Sequence, residues 1–354
     1  MQECVVKDFS DDDDELLSRA IENYETTSNP ITNNAERVIP VVTSEGELGS
    51  PLSRFRPGYL WVSDLTRQNW CEQQLYYSFT VPSVVEENPV MTEGSSLHLA
   101  RELAVHDVVQ VKVTSNEDIW AIKVLNLLSS LVSLLNGQTI AREVPIFGAP
   151  FNEDVFIVGL IDELRFDPSS FQLDLWEFKT RKYKSMPSKS QQAQHRLQVM
   201  LYKKLFDDLV KGKLSREVIA KHLKLDLNRT FGSDIQETID GKGMTGTNLH
   251  QLLDVLFHRI QCITCIREIG IEYEHQSSKE SIGIHSVDYN DEELVMLFRD
   301  YLQFWRGQRE VRGVDIEEAW KCQSCDFADV CDWRKLKAEQ YSKVGNSKSK
   351  VTHK

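Results

Sequence analysis

Up to residue 50 the apolar positions follow no period, and from Leu52 onward stretches of helical spacing alternate with stretches of strand spacing. Residues 63–79 predict a helix with Ser63 as N-cap and Cys71 midway along it. Residues 95–109 predict a second helix behind Gly94, with His98 and Glu102 one turn apart on one face. Residues 115–137 predict a third, with a core stripe of Ile119, Ile122, Leu125, Leu128, Val132 and Leu135, closed by Asn136-Gly137. Strands are predicted over 140–147, which contains Glu143, over 155–166 and over 173–184. The turn Asp167-Pro168-Ser169-Ser170 joins the last two as an antiparallel hairpin. Next comes a long helix over 190–211, with a leucine stripe (Leu197, Leu201, Leu205, Leu209) beside a polar one (Gln194, Gln198, Tyr202). Residues 212–247 turn basic and then Gly/Thr/Ser-rich, the composition of a mobile flap over a groove. A helix over 248–269, a hairpin over 270–287 and an amphipathic helix over 291–305 complete the pattern. The expected fold class is α/β, a mixed sheet flanked by helices.

Two strands break the pattern in a way that points to chemistry. In 173–184, Leu173, Leu175, Glu177 and Lys179 share one face and Asp174, Trp176 and Phe178 the other. A carboxylate and an ammonium therefore land on the face two leucines began, where a buried charge needs a partner such as a metal ion. In 155–166, Glu163 shares its face with Arg165, whereas Asp162 shares its face with Val158, Leu160 and Leu164. Asp162 is thus the better ligand candidate, and the hairpin would bring it beside Glu177.

Charge changes the picture once it is divided along the chain. The net charge is −13, yet residues 179–229 hold 14 Lys and Arg against 4 Asp and Glu, and residues 334–354 hold 7 basic against 1 acidic. That distribution is the footprint of a phosphate-backbone binder. Residues 1–50 hold 12 acidic and 3 basic side chains and few aromatics, so they are expected to be a largely disordered acidic tail. The N-terminus has neither signal-peptide nor transit-peptide character, and the apolar stretch 126–135 is too short for a membrane span.

Seven cysteines without secretory context argue for a reducing compartment and for thiol or metal chemistry. Cys322, Cys325 and Cys331 form a C-x2-C-x5-C set, which supplies three ligands. Cys262 and Cys265 could complete a zinc-type set, or Cys71 could supply the fourth thiol. The first pair falls inside an apolar helical pattern, where free cysteines are ordinary core residues; this favours Cys71.

The ordered set Gly94-x3-His98-x3-Glu102, Gly159-x2-Asp162, Glu177-x-Lys179 and Gln198-x3-Tyr202, flanked by one early and three late cysteines, resembles the RecB-type branch of the PD-(D/E)XK nucleases. This is the branch with a 4Fe-4S cluster. The resemblance is strongest to the eukaryotic exonuclease V family, includes the Glu-Ala-Trp-Lys-Cys run at 318–322, and covers about residues 52–336. Asp162 follows Ile161 rather than the proline common in this superfamily. The resemblance implies a restriction-endonuclease-like core fastened by an iron-sulfur clasp, a nuclease domain over 51–336 and a flexible basic tail over 337–354. It implies His98, Asp162 and Glu177 as ligands of one or two Mg²⁺, Lys179 as the catalytic lysine, Gln198 and Tyr202 as the helix motif behind the site, and Cys71, Cys322, Cys325 and Cys331 as cluster ligands. The implied activity is exonucleolytic hydrolysis of single-stranded DNA from a free end, in DNA repair or genome maintenance. It further implies a monomer in the nucleus or cytoplasm, with single-stranded DNA and a single-stranded-DNA-binding protein as partners and no membrane. Two other readings stay open: a catalytically idle zinc-type nucleic-acid scaffold, and a structure-specific endonuclease.

Overall fold

A computed structural model of the chain describes residues 49–81 and 113–349, with side chains to residue 340. The acidic tail up to residue 48, the Gly94–His98–Glu102 motif and the last five residues lie outside the described residues. The elements run α1 (Pro51–Phe55), β1 (Tyr59–Trp61), α2 (Val62–Thr80), α3 (Asn116–Leu135), β2 (Ile140–Gly148), β3 (Phe156–Asp167), β4 (Gln172–Arg181) and α4 (Lys189–Val210). They continue with α5 (Arg216–Leu223), α6 (Ser233–Gly241), α7 (Leu249–Ile260), β5 (Ile266–His275), β6 (Ser281–Val287), α8 (Asp291–Trp305) and α9 (Asp332–Ser349). A 3-10 stretch, Ile316–Ser324, precedes α9.

Six strands form one mixed sheet of order β1-β3-β4-β5-β6, with β2 paired to the other edge of β3. The β3–β4 hairpin forms as its turn chemistry predicts: the Ser169 N–H donates to Asp167 Oδ1 at 2.9 Å. Hydrogen bonds from the Ser169 and Ser170 hydroxyls, with that amide, hold the Asp167 carboxyl down at about 2. β4 and β5 run parallel, so α4 and the three helices after it make the crossover between them. α4 starts on a capping box between Ser188 and Gln191, and its leucine stripe is buried as expected.

Two of the early helices differ from the sequence reading. α2 starts at Val62, not after Ser63: Asp64, at the third helical position, accepts from the Trp61 N–H at 3.0 Å and pairs with Arg56 at 2.7 Å. α2 is also broken at Cys71, which is extended (φ −162°, ψ 107°). The buried stripe of α3 is Trp120, Ala121, Val124, Leu125, Leu127, Leu128, Leu131 and Leu134, shifted from the expected one, with Ile119 and Ile122 packed at its margin. By length and hydropathy alone α3 could cross a membrane, but its stripe packs into the domain core.

Residues 212–247 are a packed pair of short helices rather than a flap, with Ile219, Ile235 and Ile239 in the core. The predicted helix over 248–269 ends at Ile260, and Ile266 begins a strand. α9 runs across the domain boundary expected at 336.

Candidate active site

The site forms where the ladder along one edge of β3 opens. On that edge β1 pairs with Phe156–Val158 and β4 with Glu163–Asp167. Gly159 and Asp162 fall in the gap between them. Asp162, 6% exposed, fills it by accepting the Phe178 N–H at 2.8 Å, so its carboxylate is held against β4.

Glu177 and Lys179 lie on one face of β4, 0% and 4% exposed, with Lys179 Nζ 3.2 Å from Glu177 Oε1. An acidic and a basic side chain buried together is costly unless the geometry is good and other groups join in. Glu163 sits on the opposite face, bonded by Arg142 Nε at 2.8 Å and Arg165 Nε at 2.6 Å. The carboxylate pair is divided as strand parity implied, one held by arginines and the other facing Glu177 and Lys179. On β2, Glu143 lies opposite Asp162, between the Arg142–Glu163 and Val144–Ile161 rungs, with φ at +47°. Few non-glycine residues occupy that region, and such outliers cluster at functional sites.

α4 closes the site from behind. Gln194, Gln198 and Tyr202 are buried, not a solvated shoulder, and Gln198 Nε2 donates to Tyr202 Oη at 3.1 Å. A Cβ at Gly159 would come within 2.5 Å of Tyr202 Cε1 and 3.0 Å of Val62, which explains the glycine three residues before Asp162. Gly159→Ala is expected to lower stability by about 1–3 kcal/mol through overpacking; an unchanged melting temperature would show that Tyr202 yields. The sequence reading missed His195 and Tyr273, whose Nδ1 and Oη are 3.0 Å apart. Tyr273 is the β5 neighbour of Lys179, and placing this strand at 270 rather than 266 hid the register.

Among the described residues no three His, Cys, Asp or Glu side chains converge on a single-ion centre. Asp162 and Glu177 give two, and the third expected ligand, His98, lies outside the described residues. Buried carboxylate oxygens are the donor type that suits Mg²⁺.

A second cluster is built from both ends of the domain. Cys71, Cys322, Cys325 and Cys331 line one pocket with Phe327 and Trp333. Burial pushes the Cys71 thiol up to about 11, and the nearby Cys325, Cys322 and Cys331 push it the same way. Four cysteines lining one pocket make a sulfur donor set of the kind that suits a soft metal centre, and burial keeps the Cys71 thiol protonated until such a centre binds. Cys262 and Cys265 are outside this pocket. Contrary to their expected place in the core, Cys262 is exposed, with its thiol on the His258 carbonyl at 3.5 Å, and Cys265 is half-buried.

The family model described as "Exonuclease V - a 5' deoxyribonuclease" matches residues 50–175, 165–251 and 241–334. The curated Exonuclease V of Danio rerio is 40% identical over 291 residues, covering 81% of this chain and 73% of that protein. Among solved structures, the crystal structure of SSO0001 matches at 14% identity with a TM-score of 0.33, covering 78% of this chain and 87% of that one. At that TM-score the likeness bears on neither topology nor site. With the matched model spanning the whole sheet, the opened β3 edge and the late cysteines, the chain belongs to the exonuclease V family, whose members are DNA exonucleases.

Proposed function

We propose that this DNA exonuclease acts on single-stranded DNA from a free end, as a Mg²⁺-dependent enzyme of the PD-(D/E)XK type whose four clustered cysteines hold a 4Fe-4S centre. The observation that carries the reading is the gap in the β3 edge, where Asp162, Glu177 and Lys179 are gathered, buried, in front of α4. Asp162 and Glu177, with His98, would hold the metal, which supplies charge neutralisation at the phosphoryl group and lowers the pKa of a water. Lys179, fixed by Glu177, orients the attacking water and keeps a positive charge beside the phosphate. Gln198 and Tyr202 hold the back wall so that these groups need not reorganise. The test is digestion of 5′-end-labelled single strands with and without Mg²⁺, beside covalently closed circles: cut circles would indicate an endonuclease, and no Mg²⁺-dependent cleavage of the linear strand would overturn the reading.

Most of the basic stripe is spent within the fold. Arg196 pairs with Glu293, Lys203 with Asp207, Lys204 and Lys213 with Asp208, Arg216 with Asp254 and Lys221 with Asp154. The stretch from the end of β4 to the start of α4 differs: Lys182 and Lys189 are exposed, with an exposed Tyr183 beside the first, suiting a strand led from the site over cation and ring. Charge reversal at Lys182 and Lys189 is expected to lower the salt slope of binding by about one each. Reversal at Lys203 and Lys213 should leave that slope alone; the opposite result would put the DNA along α4.

The zinc-type scaffold is the weaker reading, because Cys262 and Cys265 stand apart from the other thiols. Cys71→Ser and Cys331→Ser are expected to lose iron and sulfide, while Cys262→Ala and Cys265→Ala keep both. Iron retained in Cys71→Ser but lost in Cys262→Ala would refute the assignment.

A further inference from the structure

The run Glu318–Cys322 stands out in the sequence, yet the site described so far uses only its cysteine. Lys321 is 5% exposed; its Nζ donates to the Trp70 carbonyl at 3.2 Å and to Glu318 Oε2 at 2.8 Å, and lies 4.4 Å from the centre of the Trp70 ring. Trp320 packs edge-on against the same ring at 5.7 Å. The other oxygen of Glu318, Oε1, accepts from the Ser190 hydroxyl. Trp70 precedes Cys71, Lys321 precedes Cys322, and Ser190 lies in the first turn of α4. One carboxylate therefore joins the neighbourhoods of an early and a late cysteine to the helix that carries Gln198 and Tyr202.

Local needs do not explain this contact. The start of α4 is already capped by Ser188 and Gln191, so Ser190 is not required there. A buried ammonium must be paired, which fixes Glu318 through Lys321. Its negative charge at the α4 N-terminus also complements the helix dipole.

We propose that Glu318 and Ser190 are positioning residues that couple closure of the four-cysteine pocket to the seating of α4 behind the catalytic carboxylates. The inference rests on the proposed cluster and active site, and it makes the pocket a determinant of turnover rather than of folding alone.

Ser190→Ala, Ser190→Thr, Glu318→Gln and the Ser190→Ala/Glu318→Gln double variant of the full chain test it. The readouts are iron and sulfide per chain, kcat and KM on end-labelled single strands, and hydrogen exchange over residues 191–202. Ser190→Ala is expected to keep wild-type iron and KM, lose about tenfold in kcat through misplacement of the site, and exchange faster along α4. Ser190→Thr should restore both, and the double variant should exchange no faster than the faster single one. Wild-type kcat and exchange in Ser190→Ala, or additive effects in the double variant, would overturn the proposal. A wild-type protein without iron would sink the cluster assignment alone, because the exchange comparison between positions 190 and 318 decides the coupling independently.

Discussion

Asp162→Asn is expected to lower kcat by about 10²-fold or more, the scale seen when one preorganised electrostatic element is removed. The amide can still accept the Phe178 N–H that now goes to Asp162 Oδ2, so shape and strand pairing survive and only the charge is lost. The melting temperature should therefore move little. Lys179→Ala should cost activity on the same scale, but with a fall in stability, because it leaves the fully buried Glu177 carboxylate with one cation fewer. Glu163→Gln is the control. Its arginines, Arg142 and Arg165, are 25% and 37% exposed, so water can take over their solvation; stability should drop modestly and kcat should hold. Equal losses of kcat in Asp162→Asn and Glu163→Gln would mean that strand parity picked the wrong carboxylate.

Which side chains share a face was legible because it needed only one strand at a time. Glu177 and Lys179 are in phase with Leu173 and Leu175, and Glu163 with Arg165, whatever the sheet around them does. What the sequence concealed depends on partners far along the chain. The run 248–269 keeps a helical spacing through Ile263, Ile266 and Ile269, but Ile266 and Ile269 pair with Leu173 and Leu175 of β4, and that pairing overrides the local period. α5 and α6 are only 8 and 9 residues long, too short for an apolar period to emerge. The basic stripe looked available because Glu293, Asp254 and Asp154, which neutralise three of its members, lie outside it in sequence. The break at Cys71 has the same origin, since the residues that impose it arrive more than 230 positions later.

Those residues define a large expected stability effect. Glu72, 6% exposed, accepts from Arg309 Nη1 at 2.5 Å and Nη2 at 2.7 Å, from the Arg312 N–H at 2.8 Å and from Gln68 Nε2 at 2.6 Å. The Gln73 N–H donates to the Arg312 carbonyl at 3.0 Å, and Trp305 Nε1 donates to Gln68 Oε1 at 2.9 Å. Breaking a buried ion pair by removing one partner costs about 3–5 kcal/mol. Arg309 keeps the Asp300 carboxylate at 3.6 Å, so Glu72→Ala should fall near about 3 kcal/mol, the lower end of that range. This network ties α2 to the chain after α8 without any metal. A cluster that is released on unfolding does not cross-link the unfolded chain, so it stabilises by binding the native state rather than by loop entropy. Cys71→Ser should then loosen 316–349 to protease while 51–80 and 291–314 stay protected, and Glu72→Ala should expose both. Global unfolding of Cys71→Ser at a temperature where Glu72→Ala stays folded would mean that the cysteines, not the carboxylate, hold the two ends together.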